Sequence, residues 1–75
     1  MILSLIISRH CEACGRAEKT VKDIAIRYPA ITVKIINIDN YNATGISIVP
    51  ALLVDEELYC YGDIDENKLL SDVLN

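Results

Sequence analysis

The chain has 75 residues, 52% of them hydrophobic, and a formal net charge of −4. That length suits one small domain over residues 1–75, whose core would supply only about 3–5 kcal/mol of net stability. An acidic chain offers no basic stripe to release counterions from phosphates, and no apolar run approaches the ~20 residues of a membrane span. Nucleic-acid and membrane partners are therefore not expected.

The opening stretch, Ile2 to Ile7, is a near-continuous apolar run of the kind a central strand buried on both faces shows. It lacks a preceding basic segment and is too short for a secretory signal, which makes a cytoplasmic location the expectation. From Ala13 the period changes. Ala17, Val21, Ile24, Ala25 and Tyr28 fall on one face of a helix, with Arg16, Lys19, Lys22, Asp23 and Arg27 on the other. Pro29 stops this helix, because proline disfavours a helical residue before it. Ile31 to Ile38 is rich in β-branched residues and reads as a second strand. A strand, a helix and a strand in that order imply a right-handed crossover with the two strands parallel.

Asp39 to Ser47 is short and polar, with room for one helical turn at most. Ala51–Val54 and Leu58–Tyr61 follow as two short strands joined at Asp55-Glu56 in a hairpin, and Gly62 breaks the second of them. Asp63 and Glu66 have the spacing of a capping box, and Ile64, Leu69, Leu70, Val73 and Leu74 give a final amphipathic helix. The expected architecture is α/β: β-α-β, a short turn, then β-β-α, around a four-stranded mixed sheet.

The chemistry concentrates in "HCEACGR", where Cys11 and Cys14 sit two residues apart at the junction of the first strand and first helix. A disulfide there would close almost no loop, so stability is not its purpose. Metal binding needs four ligands, or three and a water. His10, Cys11, Cys14 and Cys60 are the available donors for a zinc or copper module, without a second paired motif. Redox chemistry suits the position better. A thiol at the start of a helix meets unpaired backbone N–H groups and the positive end of the helix dipole, which favour the thiolate. Arg9, His10 and Arg16 add positive charge nearby, and Glu12 opposes it. Arg9 and His10 are thus candidate modulators of cysteine acidity. Cys14, one turn further in, is placed to resolve a mixed disulfide on Cys11. Cys60, on the fourth strand beside Leu58 in the alternating pattern, is expected to be a small buried hydrophobe, with Tyr59 and Tyr61 on the opposite face.

Taken together, "CEAC" at a strand-to-helix junction, "ISIVPALLV" and "ELYCYGDIDENKLL" resemble the thioredoxin/glutaredoxin superfamily, and most of all its minimal, glutaredoxin-sized members. The resemblance covers nearly the whole chain. It implies a thiol–disulfide oxidoreductase with Cys11 and Cys14 as catalytic residues. It also implies a cis Val49-Pro50 bond lying against the cysteine pair, its backbone binding the substrate. The implied partners are protein or low-molecular-weight disulfides and a thiol or reductase that donates electrons; no cofactor or metal is called for.

Departures from the family pattern are visible as well. Glu12-Ala13 stands between the cysteines instead of the Gly-Pro of thioredoxins or the Pro-Tyr of many glutaredoxins. His10 replaces the usual thioredoxin tryptophan, and Leu5 stands where thioredoxins carry a buried acid. In the family the middle helix covers one sheet face. Its shortening here predicts thin cover over some of Ile2, Ile6, Ile36, Tyr59 and Tyr61, a candidate homodimer surface.

Overall fold

The computed structural model describes residues 1–40 and 48–74. Strand β1 (Ile2–Ile7) leads into helix α1 (Glu12–Arg27), followed by β2 (Thr32–Asn37), a 3₁₀ turn at Ile38–Asn40, β3 (Ala51–Val54), β4 (Glu57–Tyr61) and helix α2 (Glu66–Leu74). The strands form one mixed sheet in the order β2-β1-β3-β4. β1 runs parallel to β2 and antiparallel to β3, and β3 runs antiparallel to β4. The apolar opening run thus occupies an interior strand, with Leu3, Ser4, Leu5 and Ile6 all buried. The sequence expectation of an α/β fold with this element order is met. Of the Asp39–Ser47 stretch, 41–47 lie outside the described residues.

Helix α1 buries Cys14, Ala17, Val21 and Ile24, the helical stripe that its periodicity predicts. Its cap falls at Tyr28, just before Pro29, and the Tyr28 N–H still donates to the Ile24 carbonyl at 2.8 Å. This stripe packs with Leu69 of α2 onto Leu3, Leu5 and Leu52, making the main core on one face of the sheet. The other face carries a smaller cluster of Ile6, Ala51 and Leu53, flanked by Ile36, Ile38 and Val49. Ile6 is fully buried, so the thin cover anticipated for this face does not extend to it.

The turn between β3 and β4 uses two residues, Asp55 (φ 48°) and Glu56 (φ 74°), both left-handed as a tight hairpin of this hand requires. Asp55 offsets the cost of that conformation by a pair of bonds to Ile2. Its N–H donates to the Ile2 carbonyl at 2.9 Å, and its Oδ1 accepts the Ile2 N–H at 2.8 Å.

Beyond the turn the simple alternation fails. Leu53 pairs with Leu58 but Leu52 pairs with Cys60, so the register shifts and Tyr59 is the extra residue of a bulge. A one-residue slip moves side chains to the opposite face. Leu58 therefore lies across from Leu53 on the smaller-cluster side, while Cys60 and Tyr59 both pack against the main core. This corrects the expectation that Cys60 sits beside Leu58 and that Tyr59 joins Tyr61. Leu58 and Tyr61 remain exposed on the edge strand.

The second correction concerns the start of α2. Asp65, not Asp63, is its cap: Oδ1 of Asp65 accepts the Lys68 N–H at 3.1 Å, and its carbonyl accepts the Leu69 N–H at 2.9 Å. Asp63 is engaged elsewhere, by Arg16. Glu66, the anticipated partner in a capping box, instead pairs with Arg27 of α1.

Leu5 and Ile26 test how the core divides from the surface. Leu5 is fully buried and Ile26 is 78% exposed. Leu5→Ala is expected to cost about 2–5 kcal/mol, comparable to the whole stability of so small a core. Ile26→Ala should change stability by less than about 0.5 kcal/mol. Urea titrations of the two variants check the contrast.

Tyr59 gives a pH signature. Its hydroxyl donates to Asp72 of α2, and that bond, with burial second, pushes its pKa up to about 12. A raised tyrosine pKa means that the contribution of this contact is fully present below the ordinary value near 10. It is lost as pH rises through about 12. Asp72→Asn should bring the ionisation of Tyr59 back toward the ordinary value, followed by absorbance at 295 nm.

Candidate redox site

The polypeptide leaves β1 at Ile7, turns at Arg9 and His10, and enters α1 through Cys11. His10 adopts φ 56°, a left-handed conformation uncommon for a residue with a side chain. Cys11 is extended (φ −117°, ψ 110°) and caps the helix, and its Sγ accepts the Cys14 N–H at 3.1 Å. The Cys11 carbonyl accepts the Gly15 N–H at 3.2 Å, closing the first turn. One of the N–H groups that a helix start leaves without an intrahelical partner is thus satisfied by a sulfur. The two cysteines are joined as a disulfide, with Cα atoms 5.1 Å apart. Their environments differ. Cys14 is 3% exposed, whereas Cys11 is half-buried.

Val49-Pro50 is cis, and Pro50 is fully buried. Ala51, the next residue, pairs with Ile6, so this segment runs alongside the end of β1 from which the chain passes to Cys11. The Pro50 carbonyl accepts the Gly62 N–H at 2.8 Å, and Gly62 (φ 77°) takes a left-handed conformation that other residues adopt only at a cost. Ile48, beside Val49, is 58% exposed. Cys11, Cys14, Val49 and Pro50 thus gather at one end of the sheet.

The charged residues expected to tune the cysteines are arranged differently. Arg9 and His10 are exposed, and neither side chain hydrogen-bonds to a sulfur among the described residues. Arg16 turns away to Asp63, with Nε to Oδ1 at 2.9 Å and Nη2 to Oδ2 at 3.3 Å. The hydrogen bond and charge of each partner raise the pKa of Arg16 and lower that of Asp63, so both stay ionised and largely cancel. This pair spans 47 residues of sequence, and no local pattern signals it. Leu5, at the family's position for a buried acid, is part of the main core.

Cys60 is a free thiol on β4, half-buried against the main core, and burial pushes its pKa up while Lys68 opposes. The four donors considered for a metal are not brought together: among the described residues, no three His, Cys, Asp or Glu side chains form a group able to hold an ion.

Residues 3–75 match the thioredoxin domain. The chain belongs to the thioredoxin domain family. The structure of Trichomonas vaginalis thioredoxin resembles it with a TM-score of 0.74 at 21% identity, covering 97% of this chain and 76% of that one. At that identity the likeness speaks for the fold, a thioredoxin-like α/β arrangement of two helices on a four-stranded mixed sheet. No curated protein matches the chain. No helix among the described residues is long and apolar enough to cross a membrane.

The raised pKa of Cys60 carries its own expectation, since the thiolate is the reactive form. In the reduced protein near neutral pH, iodoacetamide should modify Cys60 slowly, and peptide mapping after timed quenching would show it. Cys60→Ser should lower stability, because a hydroxyl replaces a weakly polar thiol against the main core; a urea titration reads the change.

Proposed function

We propose that this protein is a thiol–disulfide oxidoreductase in which Cys11 attacks a substrate disulfide and Cys14 resolves the product. The observation that carries this reading is the asymmetry of the pair: Cys11 Sγ sits at the helix cap with the Cys14 N–H aimed at it from 3.1 Å, while Cys14 is buried. In the reduced protein the same N–H and the first-turn dipole favour negative charge on Cys11.

The thiolate of Cys11 attacks one sulfur of the substrate, forming a mixed disulfide and releasing the other sulfur as thiolate. Cys14 then loses its proton and attacks Cys11 Sγ, forming the Cys11–Cys14 bond and expelling the second substrate sulfur. The substrate gains two electrons and the protein loses two. A thiol or a reductase returns them. Protein or small disulfides are the substrate class, and a cytoplasmic setting, where thiols are kept reduced, suits the cycle.

In this reading an extended substrate segment pairs with the backbone of Val49 before the buried Pro50, and Ile48 gives it an exposed apolar contact. Membership of the thioredoxin domain family and the grouping of these residues at one sheet end support the assignment.

Trapping distinguishes the two roles. Cys14→Ser should accumulate mixed disulfides on Cys11, because attack proceeds and resolution cannot. Cys11→Ser should accumulate almost none, since the remaining sulfur is shielded. Non-reducing electrophoresis and mass spectrometry after incubation with a disulfide-bonded peptide read the outcome. Equal trapping by both variants would sink the assignment.

A further inference from the structure

Two residues beyond Cys14, Arg16 reaches out from α1 and holds Asp63 with two parallel hydrogen bonds, at 2.9 and 3.3 Å. The residue before Asp63 is Gly62, whose N–H is bonded to the Pro50 carbonyl at 2.8 Å. A short non-covalent route therefore joins the cysteine helix to the cis-proline segment: α1, Arg16, Asp63, Gly62, Pro50.

As a stabilising contact the pair is weak. The side chains are 59% and 65% exposed, and ion pairs in that setting add little to folding free energy. Its geometry argues for a different role. A bidentate guanidinium–carboxylate contact fixes orientation as well as distance, and this one fixes the turn that carries Gly62. Among the described residues, this contact is the hydrogen-bonded tie between the Gly62-Asp63 turn and the first half of α1.

We infer that Arg16 and Asp63 are positioning residues that set the placement of Val49-Pro50 relative to the Cys11–Cys14 pair, and that they thereby favour peptide disulfides over small ones. The inference rests on the exchange function proposed above. A peptide disulfide must satisfy two constraints together, its backbone against Val49 and its sulfur in line with Cys11. A small disulfide meets only the second. Loosening the Asp63 turn therefore penalises the first class of substrate and spares the other, since misplacement matters most where two contacts must be met at once.

The test compares Arg16→Gln, Asp63→Asn and the exchanged pair Arg16→Asp with Asp63→Arg. Two rate constants are measured, one for a disulfide-bonded peptide and one for 2-hydroxyethyl disulfide. Amide hydrogen exchange at Gly62 is measured alongside. Each single variant should slow the peptide roughly three- to tenfold, the size of an ordinary pairwise coupling, and leave the small disulfide within about twofold. Gly62 exchange should accelerate, and the exchanged pair should recover much of the peptide rate. A parallel fall for both substrates, an unchanged peptide rate, or unchanged Gly62 protection would overturn the inference. A parent protein that reduces neither substrate would defeat the proposed function instead, and the Gly62 measurement would still decide whether the ion pair holds the turn.

Discussion

The junction between β1 and α1 is the constraint on which the rest of the site depends. β1 is interior to the sheet, and its four central residues are buried, so its direction and height are fixed by β2 on one side and β3 on the other. The chain must then turn within Ser8–His10 and start a helix whose stripe of Ala17, Val21 and Ile24 lies on the same sheet face as Leu3 and Leu5. Little freedom remains for where the helix begins. Cys11 is the residue at that beginning, and its sulfur takes the bond that a serine or aspartate side chain would otherwise accept. A rigid core of aliphatic residues thus aims one sulfur atom.

Much of this was legible in the sequence because the signals were local and strong. A near-continuous apolar run of six residues, a five-residue helical stripe and a proline stop each admit few alternatives, and the structure realises all three within a residue or two. The hairpin at Asp55-Glu56 was legible for the same reason. What escaped was non-local or depended on competition between similar groups. The bulge at Tyr59 follows from how β4 must meet β3, and alternation along β4 alone cannot register it. The start of α2 offers two aspartates, Asp63 and Asp65. Spacing favours the first, but Arg16 from another helix takes it and leaves the cap to the second. In the site itself, the pair Cys11–Cys14 was evident from sequence. The Gly62 bond to Pro50 and the Arg16–Asp63 contact were not, since both depend on how distant segments meet.

The electrostatic setting of the cysteines is simpler than the sequence suggests. Of the three basic residues near the pair, Arg16 is neutralised by Asp63, and Arg9 and His10 are exposed. Leu5 leaves no buried carboxylate beneath the helix, so that position holds hydrocarbon in the main core. The hydrogen bond that Cys11 Sγ accepts among the described residues comes from backbone, the Cys14 N–H at 3.1 Å in the first turn of a sixteen-residue helix.

That difference in source has a physical consequence. Charges on exposed side chains are screened within about 8–10 Å by physiological salt, and they move with every rotamer. Backbone dipoles are fixed by the helix, and the N–H that reaches the sulfur is held by the same turn that places Cys14 one turn behind Cys11. In the proposed chemistry, the group that stabilises the attacking thiolate and the residue that resolves the product are therefore one and the same amino acid, acting through its N–H in the first step and its sulfur in the second. Two residues between the cysteines is the spacing that permits this: the amide that an N-cap side chain serves at the third helical position is, in this chain, the amide of Cys14.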